Sequence, residues 1–285
     1  MFTSAFLRKA LDVPVVCSLQ GEEIFLDALI EPYRGRAMKE LRAQVARLDM
    51  LIGTCDAYRH EMSAYLQVPP AKISVARLGI GLDGFSPRSW DDFDASKQLT
   101  LGFFARQCPE KGLDQLVEAF KKLAPRFPNL RLRVAGYLGE GDRPYVEELK
   151  RDSADLAARI DWLGELDRSQ KIEFLQSLDL FSVPAPYRDP KGLTILEAMA
   201  CGVPVVQPQH GAYVEIIEHT SGGRLYPPNK IDALAAMLES YLRNPKTMRR
   251  DGLAGAEAVE KHYTDQAMAE QTYAIYQRVL DGCDG

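Results

Sequence analysis

Short β-branched and aromatic runs alternate along the chain with longer stretches whose apolar residues recur every three to four positions. The run at 14–19 reads as a strand buried on both faces, and 34–49 as a helix with Met38, Leu41, Val45 and Leu48 on one side. A strand at 50–54, a helix at 56–66 and a strand at 72–78 follow. The stretch 79–97 carries Gly, Pro, Ser and acidic residues with neither period, which predicts a linker. A second series then starts. It opens with a strand at 99–105 and a helix at 111–124 that aligns Leu113, Leu116, Val117 and Phe120. RLRVAG is a strand, 143–157 a helix, RIDWLG a short strand and 168–177 a helix. LDLFSVP, VPVVQP and GRLYP are strands, with a short helix at 193–201 after the first of them, and the tail from 230 to 281 is helical.

Near-continuous apolar strands alternating with helices predict parallel sheets covered on both faces, an α/β protein. The part after residue 98 supplies about six strand–helix units, a whole doubly wound domain. The part before residue 80 supplies only about three strands. The expected division is 1–80, a linker at 81–97, a second domain at 98–262 and a closing helix at 263–285.

Composition narrows the function classes. The chain has 285 residues, with 35 Lys plus Arg against 40 Asp plus Glu and a net charge of -5. The two signs are interspersed, so no polycationic surface for nucleic acid is expected. No apolar run reaches the ~18 residues that span a bilayer, and the basic pair in FLRKAL at 6–11 interrupts the first apolar stretch, the wrong order for a signal peptide. That segment reads as a packed helix. Five scattered cysteines (17, 55, 108, 201, 283) with no C-x-x-C pair fit a reducing, cytoplasmic setting rather than a disulfide framework or zinc site. The four histidines show no metal-ligand spacing, so no metal site is expected.

Chemistry in open parallel sheets sits in the loops at the carboxyl ends of the strands. No G-x-x-x-x-G-K-[ST] is present. GYLGEGDRP, after RLRVAG, has the glycines of a dinucleotide turn but Pro144 at the third small position, and a structural turn is the better expectation. The loop after 99–105 places Arg106 just past the strand and Lys111 at the start of the helix. Two cations at a helix N-terminus oppose its dipole unless an anion joins them, so they are candidates for an anionic ligand; a solvated pair is the plain alternative. The segment PYRDPKGLTILEAMACGVPVV holds Asp189 and Glu197 eight residues apart around Gly192-Leu193-Thr194. Gly192 permits close backbone approach. The N–H groups that follow at the helix start suit a phosphate. Glu197 points back toward that end, where it can accept from ribose hydroxyls or simply complement the dipole.

Taken together, R-x-x-x-x-K-G at 106–112 and D-x7-E with GLTILEAMACGVPVV at 189–206 resemble the retaining glycosyltransferases of the GT-B fold, family 4. VEII…SGGRLYPP (214–228) resembles the loop that follows in that family, LGIGLDGFSP (78–87) its inter-domain linker, 262–280 its C-terminal helix, and VVCSLQGEE (15–23) a first-domain strand and donor-facing turn. The resemblance implies two Rossmann-like parallel-sheet domains, the first incomplete here, with the closing helix crossing back to the first. It implies a retaining, metal-independent transfer of a sugar from a UDP- or GDP-sugar to an acceptor hydroxyl, with no cofactor. Arg106 and Lys111 would neutralise the diphosphate, and the amides around Gly192, Leu193 and Thr194 would hold a phosphate or sugar hydroxyl. Glu197 would take the ribose, Asp189 the hydroxyls of the transferred sugar, and Gln20 would face the donor. The family's acceptors are carbohydrate or lipid-linked, so the resemblance allows peripheral contact with the inner face of a membrane. A first domain this short also fits a fragment, a form completed by a partner chain or homo-oligomer, or a non-catalytic nucleotide-sugar-binding module. A different GT-B enzyme, such as a nucleotide-sugar epimerase, is the third reading. The departures are Asp189 where the family has Glu, Lys191 where it often has an aromatic, and Gln20 where it often has His.

Overall fold

The computed structural model describes residues 4–91 and 93–282, and the chain divides into two compact units. The first comprises the described residues up to Gly79, with Asp189–Lys191 and those from Asp265 on; the second comprises Ile80–Arg188 and Gly192–Thr264.

The first unit runs α1 (Ser4–Leu11), β1 (Val16–Ser18), α2 (Glu23–Asp27), α3 (Tyr33–Val45), β2 (Met50–Gly53), α4 (Asp56–Leu66) and β3 (Ile73–Val75). Its three strands are parallel in the order β1-β2-β3, with Cys17 opposite Leu51 and Ile52 opposite Ser74. Helix α3 buries Met38, Leu41 and Val45 but stops at Val45, short of 49. Asp49 is drawn into pairing instead: its N–H donates to Val15 O and its carboxylate accepts from Val15 N at 2.7 Å. Helix α4 is opened by the Cys55 thiol, which accepts from Tyr58 N, and closed by Gln67 in the left-handed region.

The second unit runs β4 (Leu99–Phe104), α5 (Leu113–Leu123), β5 (Leu130–Ala135), α6 (Arg143–Asp152), β6 (Ile160–Gly164), α7 (Arg168–Gln176), β7 (Leu180–Phe181), α8 (Leu193–Ala200), β8 (Val205–Pro208), α9 (Ala212–Thr220), β9 (Gly223–Tyr226), α10 (Ile231–Leu242) and α11 (Pro245–His262). All six strands are parallel, in the order β6-β5-β4-β7-β8-β9. From the central β4 the chain winds outward to one side through β5 and β6, then returns to lay β7 on the other side of β4 and winds outward again. The crevice beyond the carboxyl ends of β4 and β7 is therefore the topological switch point. Helix α5 buries the face made by Leu113, Leu116, Val117, Phe120 and Leu123 and packs beside α10. Helix α12 (Asp265–Asp281) belongs to the first unit, where Ile275 is buried with Ile52 and Ala76, and Gln271 accepts from Arg77 N.

Several elements differ from their sequence-based expectations, each for a local reason. The predicted helix 143–157 ends as α6 at Asp152, because the Ser153 hydroxyl donates to Leu149 O and a 3-10 turn follows. The strand at LDLFSVP shrinks to Leu180–Phe181, since Val183 N donates to the Gln207 side chain rather than to a neighbouring strand. The stretch 214–228, expected from the resemblance as a loop, is helical to Thr220; Tyr213, Ile216, Ile217 and Thr220 recur at helical spacing and are buried. The helical tail is three helices. Asn244 caps α11 by accepting from Thr247 N and Pro245 fixes its first turn, so α10 cannot run through. The described residues of the stretch 81–97 form no helix or strand, yet Trp90 is buried, its Nε1 donates to Gly202 O, and Arg88 ion-pairs with Asp179.

Candidate functional site

The loops at the switch point are held to one another by backbone. After β4, Gln107 N donates to Tyr137 O and Gln107 Nε2 to Gly136 O, which ties this loop to the one after β5. A 3-10 turn at Pro109–Lys111 leads to Gly112, whose φ of +70° opens α5. A Cβ built at Gly112 would meet Pro184 O at 2.0 Å, so the loop after β4 also lies directly against the loop after β7. Gly112→Ala therefore combines a left-handed backbone with a collision against main chain. It is expected to cost about 2–4 kcal/mol of unfolding free energy, read from the urea midpoint; an unchanged midpoint would show that the two loops are not locked here.

Each cation of the first loop has its own counter-group. Arg106 Nε and Nη2 donate to Asp142 Oδ2 at 3.0 and 2.8 Å, and this carboxylate raises the guanidinium pKa further. Asp142 stands in the 3-10 turn of the GYLGEGDRP segment, so that turn supplies a counter-ion rather than a dinucleotide site. Lys111 Nζ donates to Tyr187 OH at 2.6 Å and lies 4.9 Å from the ring centroid. Between the two cations, Cys108 is buried. Desolvation first, then its hydrogen bond to Glu110, pushes its thiol up to about 11, so it packs as a small apolar group and not as a nucleophile.

The loop after β7 ends at Gly192, with φ +66° and a built Cβ 2.6 Å from Ile216 Cδ1. The left-handed conformation favours glycine here, while the Ile216 methyl is the end of a side chain that could shift. Gly192 has no side chain with which to cap α8, and among the described residues the first-turn amides of Leu193 and Thr194 take no protein acceptor, which suits them to a ligand. Leu193 is exposed and Thr194 half-buried. Glu197 lies one turn further on, and its Oε1 is 2.6 Å from Lys171 Nζ on α7.

The second unit thus gathers Arg106, Lys111, Gly192, Leu193, Thr194 and Glu197 on loops and helix starts at the carboxyl edge of one sheet. Asp189 and Gln20 belong to the first unit. Asp189 is buried and turns its Oδ1 onto Lys191 N at 2.9 Å. Pro190 accepts from Thr54 Oγ1 through its carbonyl, and its ring is the nearest neighbour of Gly21. Gln20 follows β1 with an exposed side chain; its N–H donates to Glu22 Oε2. Nearby, Tyr58 OH accepts from Gly21 N and donates to Glu23 Oε2, and burial raises the Glu23 pKa.

Three residues of the site have no counterpart in the sequence reading: Lys171, Tyr187 and Asp142. Tyr187 sits two positions before Asp189 in the segment PYRDPKGLT, within local reach of the motif. Lys171 reaches a partner 26 residues away on another helix, and no local spacing marks it. Among the described residues no three His, Cys, Asp or Glu side chains form a metal-ligating group, and no helix is long and apolar enough to cross a membrane.

The model of the family Glycosyl transferases group 1 matches residues 90–257, more than half of the chain. The chain is similar to the phosphatidyl-myo-inositol mannosyltransferase of Mycobacterium tuberculosis H37Rv, at 29% identity over 70% of this chain and 53% of that protein. It is also similar to the amylovoran biosynthesis glycosyltransferase AmsK of Erwinia amylovora, at 26% identity over 98% and 68%. The chain spans about half the length of the mannosyltransferases it matches. Among solved structures, Anabaena HepE in complex with UDP superimposes with a TM-score of 0.81 at 21% identity, covering 97% of this chain and 76% of that one. Sucrose-phosphate synthase from Thermosynechococcus elongatus gives 0.79 at 22%, covering 98% and 71%. The chain belongs to the glycosyl transferases group 1 family, and its two parallel sheets are those of the GT-B fold.

Proposed function

We propose that this chain binds a UDP- or GDP-sugar at the carboxyl edge of its second sheet and transfers the sugar, with retention, to the hydroxyl of a carbohydrate or lipid-linked acceptor. The carrying observation is the switch point itself. Two cations from the loop after β4 and the glycine-led helix start after β7 flank one crevice, the place where this sheet order takes a nucleotide. A diphosphate there would replace Asp142 and Tyr187 as the partner of Arg106 and Lys111.

The reaction follows from that charge distribution. The bond from the anomeric carbon to the phosphate oxygen breaks, and negative charge grows on the leaving diphosphate. Arg106, Lys111 and the amides of Leu193 and Thr194 are preorganised to receive it, so this chain's own groups supply the positive charge and the transfer is proposed to be metal-independent. The acceptor oxygen bonds to the anomeric carbon on the same face and gives its proton to the leaving phosphate oxygen. Glu197 holds the ribose. The named mannosyl- and glycosyltransferases among the relatives support this reading.

The test is release of nucleoside diphosphate from UDP- and GDP-sugars, with and without oligosaccharide and phosphoinositide acceptors. One donor is expected to be consumed, faster with an acceptor present. Tight donor binding without turnover would point to the non-catalytic module, and no binding of any donor would overturn the proposal.

A further inference from the structure

Helix α7 is fixed at both ends. Asp167 accepts from Gln170 N while Gln170 Oε1 accepts from Asp167 N, a reciprocal cap that sets the first turn. Arg168 Nη2 donates to Gly81 O and Asp83 O at 3.2 and 2.9 Å, and Gln176 Nε2 donates to Ser86 O and Oγ at 3.1 and 2.9 Å. One edge of the helix is thereby bolted to the stretch 81–86.

Lys171 lies between those anchors and faces inward. Its Nζ is 2.6 Å from Glu197 Oε1, with the two side chains only 18% and 15% exposed. The same ammonium is 5.8 Å from the ring centroid of Phe104, the last residue of β4, and 5.9 Å from that of Phe85. Apolar walls lower the local dielectric, so a carboxylate here without a cation would be costly, and the pair must be met with good geometry. That geometry uses Oε1. Glu197 Oε2 takes no hydrogen bond from any described residue.

We infer that Lys171 is a positioning residue for nucleotide recognition: it pins one oxygen of Glu197 and so fixes the carboxylate toward the ribose hydroxyls. The inference rests on the proposed ribose contact of Glu197 and goes beyond it by assigning a role to a residue of α7.

The test is calorimetric binding of UDP, GDP and their 2′-deoxy and 3′-deoxy forms to the full chain. For whichever base binds, at least one deoxy form should bind at least about 10-fold more weakly than the parent, the worth of a hydrogen bond to a charged group. In K171M that ratio should collapse to below about 3-fold, and K171R should restore most of it. K171Q keeps a polar side chain and must show the same collapse, which covers the case of a misfolded K171M. A merely structural lysine would change overall affinity or melting temperature without touching the ratio. A wild-type ratio in K171M or K171Q alongside a lost ratio in E197Q overturns the role of Lys171 alone. A wild-type ratio in E197Q overturns the ribose contact itself.

Discussion

Lys111→Ala is expected to lower sugar transfer about 10²- to 10³-fold, the usual worth of one preorganised donor aimed at developing charge. The loss should fall on the chemistry rather than on the fold. Lys111 is half-buried, and one of its hydrogen bonds goes to the Tyr187 hydroxyl. The loop keeps its shape through Gly112 against Pro184 and the bonds of Gln107. Unfolding free energy should fall by no more than about 3 kcal/mol, the worth of a hydrogen bond made by a charged group. The measurement is the rate of diphosphate release at saturating donor, with a urea melt on the same sample. Full activity in the variant would remove Lys111 from the mechanism. A lost rate together with a collapsed melt would mean that it serves the fold.

Arg88→Met should produce the largest loss of stability, about 3–5 kcal/mol near neutral pH. Arg88 Nη1 is 2.6 Å from Asp179 Oδ1 and also donates to Leu178 O, while Asp179 Oδ2 accepts from Thr100 N at 2.7 Å. Asp179 is 4% exposed, and the guanidinium stacks 4.6 Å from the Trp90 ring. Without Arg88 the carboxylate stays buried with one backbone donor. Burial already raises the Asp179 pKa, against the pull of Arg88 and of the Thr100 amide. A carboxyl with a raised native pKa takes up a proton on folding, so its contribution to stability falls as pH rises through the interval above the ordinary aspartate value. Removing Arg88 lifts that pKa further. The deficit of the variant should therefore be smaller at about pH 5 than at about pH 8, and Arg88→Met combined with Asp179→Asn should recover part of it. Equal deficits at both pH values would show that the carboxylate is not the source of the loss.

Much of the fold was legible because its signals are local. Each predicted strand of the second unit is present, since strands of a covered parallel sheet are largely apolar, with polar residues only where a face is partly open, as at Arg131 and Arg133 of β5. Strand lengths were less legible. The extent of β7 depends on where the Gln207 side chain captures Val183 N, across 24 residues of sequence. Helix α9 shows the opposite failure: its spacing was visible at Tyr213, Ile216 and Ile217, but the resemblance to a loop took precedence. The site divided in the same way. Arg106, Lys111 and Gly192 announce themselves by following a strand and opening a helix, a relation contained within a few residues.

By itself, the sequence determined the alternation of strands and helices, the family, and the cations and glycines that mark the ligand edge. Only the tertiary structure decided what each of those groups faces. Arg106 and Lys111 stand five residues apart on one loop, yet one turns to Asp142 and the other to Tyr187, 36 and 76 residues away along the chain. Strand order is the reason. With β4 lying between β5 and β7, its following loop has a neighbour on either side. No spacing within the loop encodes which cation meets which neighbour; the winding of the sheet does.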